Sequence, residues 1–266
     1  MITFRRLTLL FFILLLSLNL LNIVPCNAAC GFIHPPAPYV YAFLISLYLG
    51  ISVAMAFLPC SNFHHPVICK GKTEKKMVSI TFDDGPDPIK TPGILDVLKK
   101  NNATATFFCI GHKLRGNEQI LTRINEEGHL IGNHSFSHSK WFDFFPARKM
   151  SAELMETDRI IRDITGKSPL FFRPPFGVVN PMVSKALKHM PWKTVCWNIR
   201  SLDTMGSNQR KIMNHIIYHL KPGSIILMHD FTPFVENCLD ELLVRIDEAG
   251  YEIVPLDILL NTSAYV

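Results

Sequence analysis

No CxxC pair occurs in the 266-residue sequence, and its seven cysteines fall at no regular spacing. Neither a zinc knuckle nor a disulfide scaffold is therefore expected. Cys26, Cys30, Cys60 and Cys69 lie in or near the N-terminal region, and Cys109, Cys196 and Cys238 are scattered beyond it. Cys109 and Cys196 sit in strand-like apolar runs and read as buried free thiols. Concentrated charge is missing too. The net charge is +5 with 18% charged residues, and no basic block, which argues against nucleic acid as a partner. Internal repeats and low-complexity segments are also absent, so the chain reads as an ordinary folded domain.

Charge vanishes altogether from two long stretches. Arg5 and Arg6 precede residues 7–24, an apolar run interrupted by Ser17, Asn19 and Asn22. Residues 40–58 form a second run, about long enough to cross a bilayer. Tyr39, Tyr41 and Tyr48 are of a type found at membrane interfaces. Between the runs lies a loop with Pro35, Pro36 and Pro38 and no Lys or Arg; after them come Lys70, Lys72, Lys75 and Lys76. The reading is a membrane-anchor region over 1–60, a linker over 61–76 and a catalytic domain over 77–262. If both segments span, the positive-inside rule places both ends in the cytoplasm. If only one spans, or the second is interfacial, the domain faces outward; the first run could also be a signal peptide.

From residue 77 onward strand-like and helix-like segments alternate. Strands are expected at 78–82, 104–110, 129–132, 170–172, 194–197, 224–228 and 252–254. Helices are expected at 91–101, 118–127, 146–165, 181–189, 207–220, 236–249 and 256–260. Repeated β-α units with short apolar strands indicate an α/β fold with a parallel sheet covered by helices. That many units suit a distorted (β/α) barrel of roughly seven strands, preceded by the two hydrophobic helices.

The polar residues fall just after strands. Thr81-Phe82-Asp83-Asp84-Gly85-Pro86 ends a strand in two adjacent acids, a costly arrangement because like charges disfavour joint ionisation; a nearby cation removes that cost. His134 and His138, spaced as on one helical turn, can reach a single ion, and with one Asp they make the three-ligand pattern of a catalytic metal site. Arg173, in Arg173-Pro174-Pro175-Phe176-Gly177, can hold a carboxylate by a charge-assisted bond. Asp203 follows another strand, and His229-Asp230 closes a buried one. His112, His189, His215 and His219 have no such context and read as structural or exposed.

The order of these five clusters resembles the polysaccharide deacetylase family (NodB homology domain, carbohydrate esterase family 4), over nearly the whole domain. The resemblance implies metal-dependent hydrolysis of N- or O-acetyl groups on a carbohydrate, usually an N-acetylglucosamine polymer such as peptidoglycan or a chitin-like oligosaccharide. It implies Asp83 as general base and Asp84, His134 and His138 as ligands of a divalent metal. Zinc fits that donor set first, and cobalt, nickel or manganese also suit it. Arg173 is expected to tether Asp83, and Asp203 to brace Arg173. The backbone N–H at Phe176 would serve the oxyanion, His229 would be the general acid, and Leu227 would line the acetyl pocket. Phe176 stands where many members have Tyr, Arg200 where many have Asp, and Thr204 where many have Trp. Family function favours a domain outside the cell, whereas the charge pattern favours the cytoplasm. Two other readings stay open. One is a deacylase of a lipid-linked sugar at the membrane; the other is a non-catalytic sugar-binding membrane protein. Oligomeric state has no signature in the sequence.

Overall fold

The computed structural model describes residues 3–20, 38–58, 60–205 and 208–266. Cys26, Cys30 and the end of the 7–24 run lie outside the described residues. The strands are β1 (Met77–Gly85), β2 (Ala105–Cys109), β3 (Leu130–Asn133), β4 (Phe171–Phe172), β5 (Lys193–Thr194), β6 (Ile199–Arg200), β7 (Ile225–His229) and β8 (Glu252–Ile253). The helices are α1 (Phe4–Leu20), α2 (Pro38–Ala56), α3 (Lys90–Lys100), α4 (Gly111–Leu114), α5 (Glu118–Glu126), α6 (Ala147–Thr165), α7 (Pro181–Leu187), α8 (Gln209–His219), α9 (Val235–Glu248) and α10 (Leu256–Leu260). The sheet runs β5-β4-β3-β2-β1-β7-β6, all parallel, and β8 pairs with Met77 and Val78 at the start of β1. The parallel barrel reading holds, but the sheet is an open half-barrel whose end strands are β5 and β6. The strand β6 and the short α4 were not foreseen; neither is long enough to leave a periodic pattern.

β1 shows why the fold forms. Val78, Ile80 and Phe82 point to the helix layer and join Ile94, Leu95 and Leu98 of α3 and Leu239 and Leu242 of α9 in the largest core cluster. Ser79, Thr81 and Asp83 point inward, as the two-residue period requires. The inner hydroxyls are paired: Ser79 Oγ donates to Val254 O at 2.6 Å and Thr81 Oγ1 to Ile226 O at 2.8 Å. Beneath them Phe108, Leu130, Phe171, Val195 and Ile225 fill the interior. On the long α6, Met150, Leu154, Thr157, Ile160 and Ile161 form the buried stripe expected from the sequence, and Gly166 ends it at φ 73°, the left-handed region that glycine enters freely.

Residues 67–71 are no free tether. Ile68 N donates to Thr194 O and Cys196 N to Ile68 O, both at 2.9 Å, beside β5. Lys70 bridges Ser224, and Gly71 N donates to Gly223 O at 2.8 Å, at the entry to β7. This stretch, expected within the linker, lies along the open seam of the half-barrel. A disulfide joins Cys60 to Cys69. It is a single local bridge, nine residues apart, and leaves no framework spacing to read in the sequence. Cys109, Cys196 and Cys238 are free and buried.

Ahead of the barrel, α1 and α2 pack against each other through Tyr48, whose ring stacks on Phe11 at 4.6 Å and whose hydroxyl lies 2.9 Å from Thr8 Oγ1. Their other large apolar side chains are mostly exposed. With 19 residues and a mean hydropathy of 1.8, α2 is long and apolar enough to cross a membrane. At its foot Ala56 O accepts from Val179 N at 3.0 Å, and Phe4 N donates to Phe63 O at 2.9 Å.

Candidate active site

Strand register gathers the site. Asp83 on β1 is in register with His229 on β7, and Asn133 on β3 with Phe172 on β4, so His134 and Arg173 are the residues that follow a matched pair. All therefore lie on one rim of the half-barrel. The β1 ladder to β2 shifts register between Asp83 and Gly85, and Asp84 takes φ 73°. Adjacent strand residues normally face opposite sides; this left-handed step turns the second carboxylate toward the same site as the first. Gly85 packs against the Asp230 carboxylate so closely that a Cβ there would overlap it.

Arg173 is fully buried, and each of its three nitrogens donates. Nη1 donates to Asp83 Oδ1 at 2.6 Å and to Thr81 Oγ1 at 2.8 Å; Nε and Nη2 donate to Val195 O and Cys196 O, each at 3.0 Å. Its guanidinium lies 4.0 Å from the centre of the Phe108 ring. A buried charge needs this degree of pairing to be tolerable. The expected tether of Asp83 is thus present. The expected brace of Arg173 by Asp203 is not. Asp203 accepts instead from His229, from Nδ1 and from the backbone N–H, both at 2.8 Å. Asp230, the neighbour of His229 in sequence, turns away and accepts from Thr91 Oγ1 at 2.6 Å.

His134 and His138 do not share a helix, contrary to the spacing argument. Residues 134–140 form a loop, with Ser135 at φ 65° and His138 at φ 44°, and it brings the two rings to 4.8 Å. His134 Nδ1 lies 2.7 Å from Arg173 O, a carbonyl that can only accept, so the proton sits on Nδ1 and Nε2 keeps its lone pair. That Nε2 is 3.4 Å from Asp84 Oδ1, and His138 Nε2 is 3.2 Å from the same oxygen. Asp84 Oδ1 is buried without a hydrogen-bond partner among the described residues. The three donor atoms lie within 4.8 Å of one another. A tetrahedral ion with bonds of about 2.0–2.1 Å separates its ligand atoms by roughly 3.3 Å, so the two short edges fit a divalent metal.

Electrostatics divide the two imidazoles. Burial pushes the His138 imidazole down to about 4, helped by His134, so it is neutral near pH 7 and free to ligate. Burial acts against the charged forms of His134 and His229, yet carboxylates outweigh it: Asp83 and Asp84 raise His134, and Asp203 chiefly raises His229. Burial likewise opposes ionisation of Asp84, but His134, His138 and His229 hold it below the ordinary carboxylate range.

A cleft of about 240 Å³ opens over this rim. Asp83, Asp84, His134, His138, Phe176, Leu227 and His229 all line it, whereas Arg173 and Asp203 lie behind. Phe176 sits at φ 57° with its ring exposed and 4.9 Å from that of His138. Trp197, Arg200 and Thr204 also line the cleft and were not singled out as site residues. Thr81 was missed too; its signal was a hydroxyl at an inward position of β1.

A half-barrel with a carboxylate-imidazole donor trio, a cation-held acid and an acid-held imidazole on one rim is the architecture of a hydrolytic enzyme. The chain belongs to the polysaccharide deacetylase family, whose model matches residues 70–195. It is 35% identical over 194 residues to the peptidoglycan-N-acetylmuramic acid deacetylase PdaA of Bacillus subtilis, covering 71% of this chain and 73% of the relative. It is 34% identical over 209 residues to the peptidoglycan-N-acetylglucosamine deacetylase PgdA of Listeria monocytogenes, covering 79% of this chain but 44% of that protein. Among solved structures, the Bc1960 peptidoglycan N-acetylglucosamine deacetylase superposes with a TM-score of 0.71 at 31% identity, covering 74% of this chain and 94% of that one. A pseudoenzyme of the same fold, BA3943 of Bacillus anthracis, gives 0.69 at 27% identity, covering 73% of this chain and 69% of that one. The protein is accordingly a carbohydrate deacetylase, a hydrolase of carbon–nitrogen bonds outside peptides.

Proposed function

We propose that the protein removes N-acetyl groups from amino-sugar units of peptidoglycan or a related polymer, with Asp83 as base and His229 as acid. The observation that carries this is the register pair Asp83–His229, each held from behind by an opposite charge: Arg173 at 2.6 Å and Asp203 at 2.8 Å. Asp84, His134 and His138 would hold the divalent metal, which when bound supplies Lewis-acid polarisation of the acetyl carbonyl and of water. Asp83 takes the proton of the attacking water. The Phe176 N–H, presented by its left-handed turn, supports the oxyanion, and Leu227 gives the acetyl methyl an apolar wall. His229, whose protonated form Asp203 favours, gives its proton to the departing amine nitrogen. Such acid assistance contributes about 10²–10⁴-fold. The presence of a pseudoenzyme on this fold means that activity must rest on the residues themselves, and the gathering of Asp83, Asp84, His134, His138 and His229 around one cleft supports this reading.

The N-terminal region, 1–60, serves on this reading as a membrane anchor, supported by the exposed apolar faces of α1 and α2. The Cys60–Cys69 bridge supports a catalytic domain on the oxidising, outer side, where peptidoglycan lies and disulfides persist. It opposes the cytoplasmic placement drawn from the lysines. The bond from Val179 to Ala56 O, close to Phe176, keeps a lipid-linked sugar among the substrates to be tried.

The test is acetate release from peptidoglycan, chitin oligomers, acetylxylan and lipid-linked amino sugars, with and without a chelator. Chelation is expected to abolish release and added zinc or cobalt to restore it. Asp84→Ala is expected to lose both the metal, read by elemental mass spectrometry, and the activity; full activity in that variant would overturn the ligand assignment.

A further inference from the structure

A second cleft, of about 460 Å³, lies away from the catalytic rim, between the start of α1, the chain that follows α2, and α7. Arg5, Lys185 and Lys188 line it, with His64, His65 and Ser184. The three long cations are exposed, no carboxylate lines the cleft among its described residues, and none of the three makes an ion pair there. Unpaired cations converging on a concave surface are suited to a phosphate.

Position identifies the source of that phosphate. The cleft sits where the two apolar helices meet the barrel: Phe4 N donates to Phe63 O across its floor, and the apolar faces of α1 and α2 begin immediately beyond. A cation cluster at the end of an apolar span stands at headgroup level, where anionic lipids concentrate. His64 adds a polar detail. Its Nε2 lies 2.9 Å from Ser52 O and must donate to it, which leaves Nδ1 as an acceptor. That nitrogen is buried and has no partner among the described residues. A headgroup carrying both a phosphate and a hydroxyl would satisfy the cations and this nitrogen together.

We propose that this cleft binds the headgroup phosphate of an anionic membrane lipid; the proposal rests on the reading of α1 and α2 as membrane-embedded. The bound lipid also fixes the catalytic mouth. Pro181 borders the cleft, Val179 is hydrogen-bonded to the end of α2, and Phe176 lines the active site, all on one short stretch of chain. A headgroup in the cleft therefore sets one wall of the catalytic cleft against the bilayer surface.

The full chain, purified in neutral detergent, is exposed to dioleoyl phosphatidylglycerol, dioleoyl phosphatidylcholine or inorganic phosphate, and retained ligand is read by native mass spectrometry. Phosphatidylglycerol should be retained over phosphatidylcholine by about tenfold or more. The Lys185→Glu/Lys188→Glu variant should lose that preference while still releasing acetate from a soluble oligosaccharide. If that variant does not fold, Arg5→Gln serves, with a smaller loss. Equal retention of the two lipids, or an unchanged preference in the variants, would overturn the site. Displacement by inorganic phosphate as effective as by phosphatidylglycerol would overturn the lipid assignment. Extraction of the chain from phosphatidylcholine vesicles by alkaline carbonate would instead overturn the membrane reading, independently of the cleft.

Discussion

At the scale of single residues, the site is two ion pairs flanking a donor trio, and each pair has its own signature. Removing the Asp203 charge in Asp203→Asn takes away the chief group raising His229. An acid must be protonated to act, so activity is present below its pKa and lost above it. The alkaline limb of the pH–rate profile for acetate release is therefore expected to move to lower pH, with kcat down by about ten- to a hundredfold at neutral pH. An unmoved limb would mean that Asp203 does not tune His229. Arg173→Met should act on stability as well. It leaves Asp83 buried and unpaired and strips donors from Thr81 and two carbonyls. Urea unfolding should show a loss on the order of 3–5 kcal/mol. The residues themselves were legible in the sequence because Asp83, Asp84, His134, Arg173 and His229 stand at or just past the ends of their strands, so motif and position coincide. Their partners were less so. Asp203 and His229 are joined only by the curl of the sheet, and nothing local distinguishes Asp203 from Asp230 as the partner of His229.

At the scale of elements, strand order and most helices followed from hydrophobic period, and the errors share a cause. The loop carrying His134 and His138 was expected to be a helical turn, since an HxxxH spacing looks the same in either. Left-handed φ values at Ser135, His138, Asp84 and Phe176 shape the site, and none of these residues is a glycine that would have announced them. Such positions gather at functional sites, where the surrounding structure enforces them. Glycine is informative where backbone must approach closely. A Cβ at Gly132 on β3 would lie 2.5 Å from the Phe108 ring, the ring that supports Arg173. Gly132→Ala is expected to cost about 1–3 kcal/mol by overpacking, read as a lower urea midpoint, and to slow acetate release by shifting Arg173. A variant with wild-type stability and rate would show that the ring yields freely.

At the scale of the whole molecule, the N-terminal helices and the half-barrel are joined more closely than the sequence indicated. Its composition marks 61–76 as polar spacer, because pairing across an open sheet edge needs only backbone and leaves little trace in side chains. In the fold, Ile68 and Gly71 contribute three backbone hydrogen bonds, with Thr194, Cys196 and Gly223, along the seam between β5 and β7. A chain beginning at residue 72 should therefore be less stable than one beginning at 60. At about 0.5–1.5 kcal/mol per bond the difference is a few kcal/mol. Thermal unfolding of the two soluble fragments measures it, and equal melting temperatures would show that the seam contributes nothing.

That seam also determines how far the enzyme can reach. A flexible leash would let a catalytic head sweep a hemisphere and work on any strand within range. Here the strap between α2 and β1 is laid along the sheet and clasped by Cys60–Cys69. With α1 and α2 embedded as proposed, height and tilt above the lipid would be set by the fold, as for a plane iron in its block. Such an enzyme would work on one layer of its substrate, the layer nearest the membrane, and leave material farther out untouched.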